Sequence, residues 1–208
     1  MARYCGAVCR FCRREGEKLF LKGERCFTNK CAIERREGGP GQHGKARQSH
    51  SDFKVQLREK QKTKRIYGML ETGFRAAYER AATTKGVTGS QLLIACERRL
   101  DNVSLRLGFA TSRRQARQLV SHGQVLVNGR RIALPGYEVQ TGDVVEIVEG
   151  RKKAPGIVAA MDFASSRLIP EWLSLDKAMA KGTIISLPTR ESITQSLNEQ
   201  LIVEHYSR

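Results

Sequence analysis

RRLDNVSLRLGFATSRRQARQLVSHGQVLVNGRRIALPGYEVQTGDVVEIV, residues 98–148, changes its hydrophobic period once, and that change decides the fold. Upstream of Gln124 the period is helical. Leu92, Leu93, Cys96, Leu100, Val103 and Leu107 form an apolar stripe that begins after Ser90, a capping residue, and stops at Gly108. The opposite side carries Arg98, Arg99, Asp101 and Asn102. Ser112 then caps a short helix in which Ala116, Leu119 and Val120 face inward and Gly123 closes the end. Downstream of Gln124 the period becomes two. VLV and RRIAL flank Asn128-Gly129, the dipeptide that best favours a type I′ hairpin turn, and VVEIV follows Gly142-Asp143. A helical hairpin leading into a small antiparallel sheet is expected.

Working outward, SDFKVQLREKQKTKRIYGMLETGFRAAYERA reads as helix from a cap at Ser51 or Asp52, with Gly68 and Gly73 expected to divide it. Residues 151–170 show no clear period, and Arg151-Lys152-Lys153 reads as a solvated run. EWLSL and TIISLP resemble strands, and Asn198 is placed to cap a final helix, EQLIVEHYSR. No internal repeat is visible. The fold class expected is α+β, with an N-terminal metal-stapled arm over 1–45, a helical domain over 46–97 completed by 189–208, and a hairpin-plus-sheet domain over 98–188.

The first 37 residues hold five of the six cysteines, spaced Cys5-x3-Cys9-x2-Cys12-x13-Cys26-x4-Cys31. In a reducing compartment such clustering points to metal rather than disulfides. Four thiolates so spaced can surround one tetrahedral ion at roughly 2.3 Å each, and a closed sulfur set suits Zn²⁺. The segment has few large apolar groups, so a metal would supply much of its folding free energy, on the order of 10 kcal/mol. One ion needs four ligands. The C-x2-C and C-x4-C spacings favour Cys9, Cys12, Cys26 and Cys31 and leave Cys5 spare, although an iron–sulfur cluster would accept the same cysteines. His43 and His50 lie beyond the glycine-rich stretch Gly38–Gly44 and read as solvated or phosphate-facing. Cys96 and Trp172 read as core residues.

Charge narrows the partner. The formal net charge is +16, and residues 1–66 alone carry 18 Lys and Arg against 7 Asp and Glu. A polyanion is the natural ligand, met first by the N-terminal third. No apolar stretch of spanning length, lipidation signal or secretory leader is present, so neither a membrane nor export is expected. Arg113, Arg114 and Arg117 sit at the start of a helix, where cations oppose the dipole, and backbone phosphate is the simplest partner for them. Aromatic residues make up only 6% and are not interleaved with arginine, so recognition should rest on RNA shape and phosphate geometry rather than on a stacking platform. No paired carboxylates, activated nucleophile or P-loop is evident, which excludes the common enzyme classes and a small-molecule substrate.

The quoted stretch resembles the S4 RNA-binding domain, which also occurs in RNA-modifying enzymes. The flanks MARYCGAVCRFCRREGEKLFLKGERC, NKCAIERR, GPGQHG, REKQKTKRIYG and NEQLIVEHYSR resemble the bacterial small-subunit ribosomal protein S4 family in its cysteine-containing, zinc-binding type. That resemblance implies a cytoplasmic structural constituent of the ribosome. Such a protein binds 16S rRNA directly in its 5′ domain, nucleates assembly of the 30S body and contributes to translational accuracy. It implies ribosomal protein S5 and other small-subunit proteins as partners, with messenger RNA as a further one, and one structural Zn²⁺ on Cys9, Cys12, Cys26 and Cys31. The candidate RNA contacts are Arg3, Arg10, Arg13, Arg14, Arg35, Arg36 and Arg47 in the arm, then Lys60, Lys62, Arg65 and Arg99. On the hairpin helix and turn they are Arg113, Arg114, Arg117, Gln118, Asn128, Arg130 and Arg131. The alternative is an RNA-modifying enzyme or assembly factor built on the same domain, for which only about 60 residues remain after the motif, fewer than usual domain sizes provide.

Overall fold

The computed structural model describes residues 4–44, 46, 51–164 and 168–207. Arg3, Arg47 and His50 lie outside them. The chain forms two compact units, 1–92 with 195–208, and 93–194.

The first unit begins with α1 (Cys9–Glu15), which ends at Gly16 with φ 77°, a left-handed conformation whose N–H donates to the Cys12 carbonyl. A single 3-10 turn over Gly23–Phe27 and the short α2 (Ala32–Arg35) follow. α3 (Asp52–Ile66) starts as expected, with Ser51 Oγ accepting from Lys54 N at 3.3 Å. It stops at Gly68, φ 64°, whereas Gly73 does not divide anything. α4 (Glu71–Thr83) runs through it, because a helical backbone tolerates glycine and the buried Phe74, Ala77 and Ala81 hold the face that follows it.

The stripe after Ser90 is not one helix. α5 (Thr88–Glu97) and α6 (Leu100–Arg106) are separated at Arg98-Arg99, where Arg99 is extended and forms a β-bridge with Glu138. Backbone bonds from Val139 N to Arg98 O at 3.0 Å and from Leu100 N to Tyr137 O at 2.8 Å replace helical ones there. The apolar stripe nevertheless continues across the break, and Leu92, Leu93, Cys96, Leu100, Val103 and Leu107 are all buried. α7 (Arg113–Ser121) is capped by Ser112 and buries Ala116, Leu119 and Val120.

β1 (Val125–Val127) and β2 (Arg130–Arg131) meet at Asn128-Gly129, with φ 49° and 77°, the signs a type I′ turn requires. β3 (Val144–Ile147) follows, then α8 (Pro155–Ala164), a helix in the stretch that showed no period. β4 (Leu173–Asp176) and β5 (Lys181–Ile184) complete an antiparallel sheet in the order β2-β1-β3-β5-β4. β5 begins two residues earlier than TIISLP suggests. Its Gly182 faces Leu107 so closely that a Cβ there would lie 2.3 Å from Leu107 Cδ2. Val125, Val127, Val145 and Ile147 from the sheet, Val120 from α7 and Trp172 share one core.

α9 (Glu199–Tyr206) returns to the first unit, capped by Asn198, whose side-chain oxygen accepts from Gln200 and Leu201 N–H groups. It packs on α3 and α4: Tyr206 stacks on Tyr78 at 4.6 Å between centroids, and Gln56 Nε2 donates to Glu204 at 3.0 Å. The mixed helical and antiparallel-sheet architecture is thus present in the two units.

Candidate functional site

Three short elements bring the cysteines together. Cys9 and Cys12 are one helical turn apart on α1, Cys26 lies in the 3-10 turn, and Cys31 immediately precedes α2; all four line one small pocket with Leu21 and Ile33. Cys12, Cys26 and Cys31 are buried, while Cys5 is exposed and is not among the pocket's residues. Burial pushes the Cys12 thiol up to about 11, against a backbone N–H from Leu19 that lowers it, and Cys26, Cys9 and Cys31 raise it further. Cys26 is raised mainly by burial, partly offset by the N–H of Lys22, which donates to its Sγ at 3.3 Å. Thiols gathered this way resist ionisation one beside another, and a thiophilic cation is what reverses that. Among the described residues, however, no three His, Cys, Asp or Glu side chains stand in a geometry that could hold a metal ion, so the metal staple expected from the spacing is not present as a formed site. Exposed His43 lines neither this pocket nor the cleft beside it.

The arm docks on α3 through a buried carboxylate. Glu15, its side chain only 4% exposed, meets Arg65 Nη1 at 2.8 Å and Arg58 Nη2 at 3.2 Å, and Arg65 lies over the Phe11 ring at 4.3 Å. Burial raises the Glu15 carboxyl despite both guanidinium groups. Arg65 therefore anchors the arm. Lys60 and Lys62 are likewise turned to structural work. Lys60 is 6% exposed and pairs with Glu71 at 2.8 Å, and Lys62 joins Glu17 and the Ser196 carbonyl, each at 2.8 Å. A long amphipathic cation beside a carboxylate gains more from burial of its stem than from extension into water. All three side chains are engaged by carboxylates of their own unit, Lys60 buried and Lys62 and Arg65 partly so.

The α7 arginines differ from expectation in the same sense. Arg113 Nε donates to Asn102 Oδ1 at 2.9 Å, and Arg117 Nη1 to Asp101 Oδ2 at 3.2 Å. Arg99 forks onto the same Asp101, and Arg106 forks onto buried Glu97 at 3.0 and 2.8 Å. Asp101 and Asn102, on the side opposite the apolar stripe, are 4% and 2% exposed. Intramolecular acceptors thus engage two of the three arginines at the start of α7, Arg113 and Arg117. Asn128 also serves the fold: its amide donates to Asp143 Oδ1 at 2.8 Å and its carbonyl oxygen accepts from Val144 N at 2.9 Å, stitching the turn to β3.

Of the candidate contacts, Arg10, Arg14, Arg35 and Arg36 on the arm, Gln118 on α7, Asn128 in the turn, and Arg130 and Arg131 on β2 are exposed, with Arg114 half-buried beside Gln118. Arg13 is tethered, its Nε and Nη2 donating to the carbonyls of Gly38 and Gly39 at 3.2 and 3.0 Å. Sequence reasoning missed Arg25 and Lys30, which share a cleft with Arg10, Arg13, Arg35 and Arg36. Their position, each immediately before a cysteine, Cys26 and Cys31, was the available signal.

Comparison with known proteins gives the same outline from end to end. Residues 3–97 match the ribosomal protein S4/S9 N-terminal domain and residues 98–145 the S4 domain. The small ribosomal subunit proteins uS4 of Geotalea daltonii and Solidesulfovibrio magneticus are each 56% identical over 208 residues, covering all of both chains. That of Anaeromyxobacter dehalogenans is 55% identical over the same span. The chain belongs to the uS4 family of small ribosomal subunit proteins.

Proposed function

We infer that the chain is a structural, rRNA-binding constituent of the small ribosomal subunit, working in the cytoplasmic ribosome, and not an enzyme. The observation that carries this is 56% identity with small-subunit proteins over 208 residues, covering all of both chains. Within that role it binds the 5′ domain of 16S rRNA directly, helps nucleate the 30S body and bears on translational accuracy, with ribosomal protein S5 as a neighbour. The working division is an arm over 1–45, a helical part over 46–97 and 189–208, and an S4 part over 98–188.

The exposed cations supply the chemistry. Arg10, Arg14, Arg35, Arg36, Arg130 and Arg131, helped by Arg114 and Gln118, neutralise backbone phosphates and release counterions. Each contact contributes about 0.7–0.9 to the slope of log affinity against log salt. Phosphate contacts position the protein, and RNA shape supplies selectivity. Cys9, Cys12, Cys26 and Cys31 fit a structural divalent ion with tetrahedral preference, such as Zn²⁺. What supports this is the convergence of all four on one pocket and the Lys22 N–H that already serves Cys26 as it would a thiolate. Such an ion would stabilise the thiolates and lock the arm.

The test is a salt-dependent titration against 16S 5′-domain RNA and a scrambled RNA of equal length, beside elemental analysis of the purified chain. Preference for the 5′ domain with one zinc per chain is expected. Equal binding of both RNAs would refute the assignment, and iron in place of zinc would make the cysteines a cluster site.

A further inference from the structure

The second unit keeps Glu97, Asp101 and Asn102 in its interior, 2%, 4% and 2% exposed, in a helix pair whose Leu100, Val103, Ala116 and Val120 are fully buried. Apolar residues at those positions would pack α6 on α7 as well or better, because charges taken from water are costly even when paired. What a fully bonded polar set gives instead is a single register. Here every member has one orientation. Arg106 forks onto Glu97 at 3.0 and 2.8 Å. The Glu97 carboxylate accepts from the Asn102 amide at 2.5 Å, and the Glu97 carbonyl oxygen accepts from the same amide at 3.1 Å. Turning that amide over would set Asn102 Oδ1 against both acceptors, so the oxygen faces α7 instead, where Arg113 Nε donates to it at 2.9 Å. Alongside, Asp101 is forked by Arg99 and accepts from Arg117, each bond at 3.2 Å.

α7 is therefore attached to α6 at two points one turn apart. Arg113 and Arg117 lie four residues apart on one face of it. Arg114 and Gln118, also four apart, lie on the adjoining face, half-buried and exposed respectively. A single attachment would let a nine-residue helix pivot or roll, whereas two fix both its rotation and its position along its axis. With side chains reaching about 5–6 Å from a helix axis, a roll of about 20° carries a tip by about 2 Å, more than the whole spread of hydrogen-bond lengths. We propose that Glu97 and Asn102, with Asp101, are specificity-determining residues that act without touching RNA: they clamp α7 in register and so set where Arg114 and Gln118 meet a folded RNA. The purpose of the clamp rests on the rRNA-binding reading given above; its existence rests on the geometry. Loss of the clamp removes no exposed cation, so counterion release and general affinity persist while recognition of RNA shape is lost.

The experiment uses the full chain and three variants. Asn102→Leu removes both ends of the relay at nearly constant volume. Arg113→Gln and Arg113→Met remove the same charge, but glutamine places its amide nitrogen where arginine has Nε, and methionine places a methyl there. Any contact of Arg113 with phosphate is thus lost equally from both, and a difference between them reads the bond to Asn102. Each chain is titrated across a salt series with 16S 5′-domain RNA and with scrambled RNA of equal length, and hydrogen exchange of the α7 amides is followed without RNA. Asn102→Leu should lose about five-fold or more of the preference for the 5′ domain, the loss of one specific contact, with scrambled-RNA affinity and salt slope unchanged. Arg113→Met should fall below Arg113→Gln in preference and exchange its α7 amides faster. Equal preference and equal exchange in the two Arg113 variants overturn the clamp, as does a folded Asn102→Leu chain that keeps its full preference. Should Asn102→Leu fail to fold, the Arg113 pair decides alone. Faster exchange in Arg113→Met with equal preference overturns the role in specificity. Equal binding of both RNAs by the unaltered chain would sink the assigned function instead, and the exchange difference would still decide whether α7 is clamped.

Discussion

Arg117→Ala separates a structural arginine from an RNA-facing one. Asp101 is 4% exposed and accepts three bonds, two from Arg99 and one from Arg117, each at 3.2 Å. Removing Arg117 leaves the carboxylate with Arg99, so the loss is one charge-assisted bond, about 1.5–3 kcal/mol, rather than the roughly 3–5 kcal/mol of a buried charge left wholly unpaired. The Arg117 side chain is 11% exposed, so solvent screening takes little from this figure. On a unit of roughly 100 residues, about 2 kcal/mol lowers the melting midpoint by about 8–16 °C. Calorimetry of the chain measures that, and RNA affinity across a salt series measures the other possibility. The expected result is a lower midpoint with an unchanged salt slope. The paired control, Arg130→Ala with Arg131→Ala, should behave oppositely, keeping the midpoint while the slope falls by about 0.7–0.9 per lost phosphate contact. An Arg117→Ala chain that melts normally but binds with a shallower slope would refute the reasoning.

Two further outcomes follow from the packing. The Glu71 carboxyl is pushed up by burial, but hydrogen bonds from Lys60, Lys64 and the Tyr206 hydroxyl outweigh this and hold it down to about 2. Its folded value lies below its ordinary 4.5, so the stabilisation is complete above about 4.5 and disappears as pH falls towards 2. Glu71→Gln should flatten acid unfolding of the first unit across that window when followed by circular dichroism, and an unaltered acid limb would contradict it. Gly182→Ala places a methyl 2.3 Å from Leu107 Cδ2 in a closed core and should cost about 1–3 kcal/mol by denaturant titration. Adding Leu107→Val should recover part of that loss, and strict additivity of the two changes would argue against the contact.

Legibility from the sequence followed the range of the interactions. Ser51, Ser112 and Asn198 cap within two or three residues of themselves, and Asn128 and Gly129 supply the two positive φ values of their own turn, so each could be read locally. The break at Arg98-Arg99 could not, because its cause is a segment about 40 positions away around Glu138 and Val139. Arg65 looked like a surface cation because its acceptor, Glu15, is 50 residues upstream. Lys60 and Arg117 likewise have carboxylate partners, Glu71 and Asp101, that only the fold brings to them: charge counts reveal that cations exist, not which of them a carboxylate elsewhere in the chain engages. The helix Pro155–Ala164 was hidden by a composition, PGIVAAMDFA, in which only Ile157 and Ala160 are buried and no stripe is visible. The four cysteines singled out by their spacing line one pocket, because the loops between them are themselves short.

The first unit is discontinuous in sequence, and this bears on how the protein is made. Residues 93–194 are an insertion between the body of that unit and the segment that carries Ile202 and Tyr206 into it. A ribosome delivers the chain from the N-terminus, so the inserted unit has all of its residues well before α9 emerges. Until then α3 and α4 wait with an unfilled apolar seam and with Lys60 and Glu71 lacking Tyr206. The nascent protein is therefore a folded middle tethered to an unfinished beginning, and the eight-residue α9 acts as a latch thrown only after the inserted unit has been made.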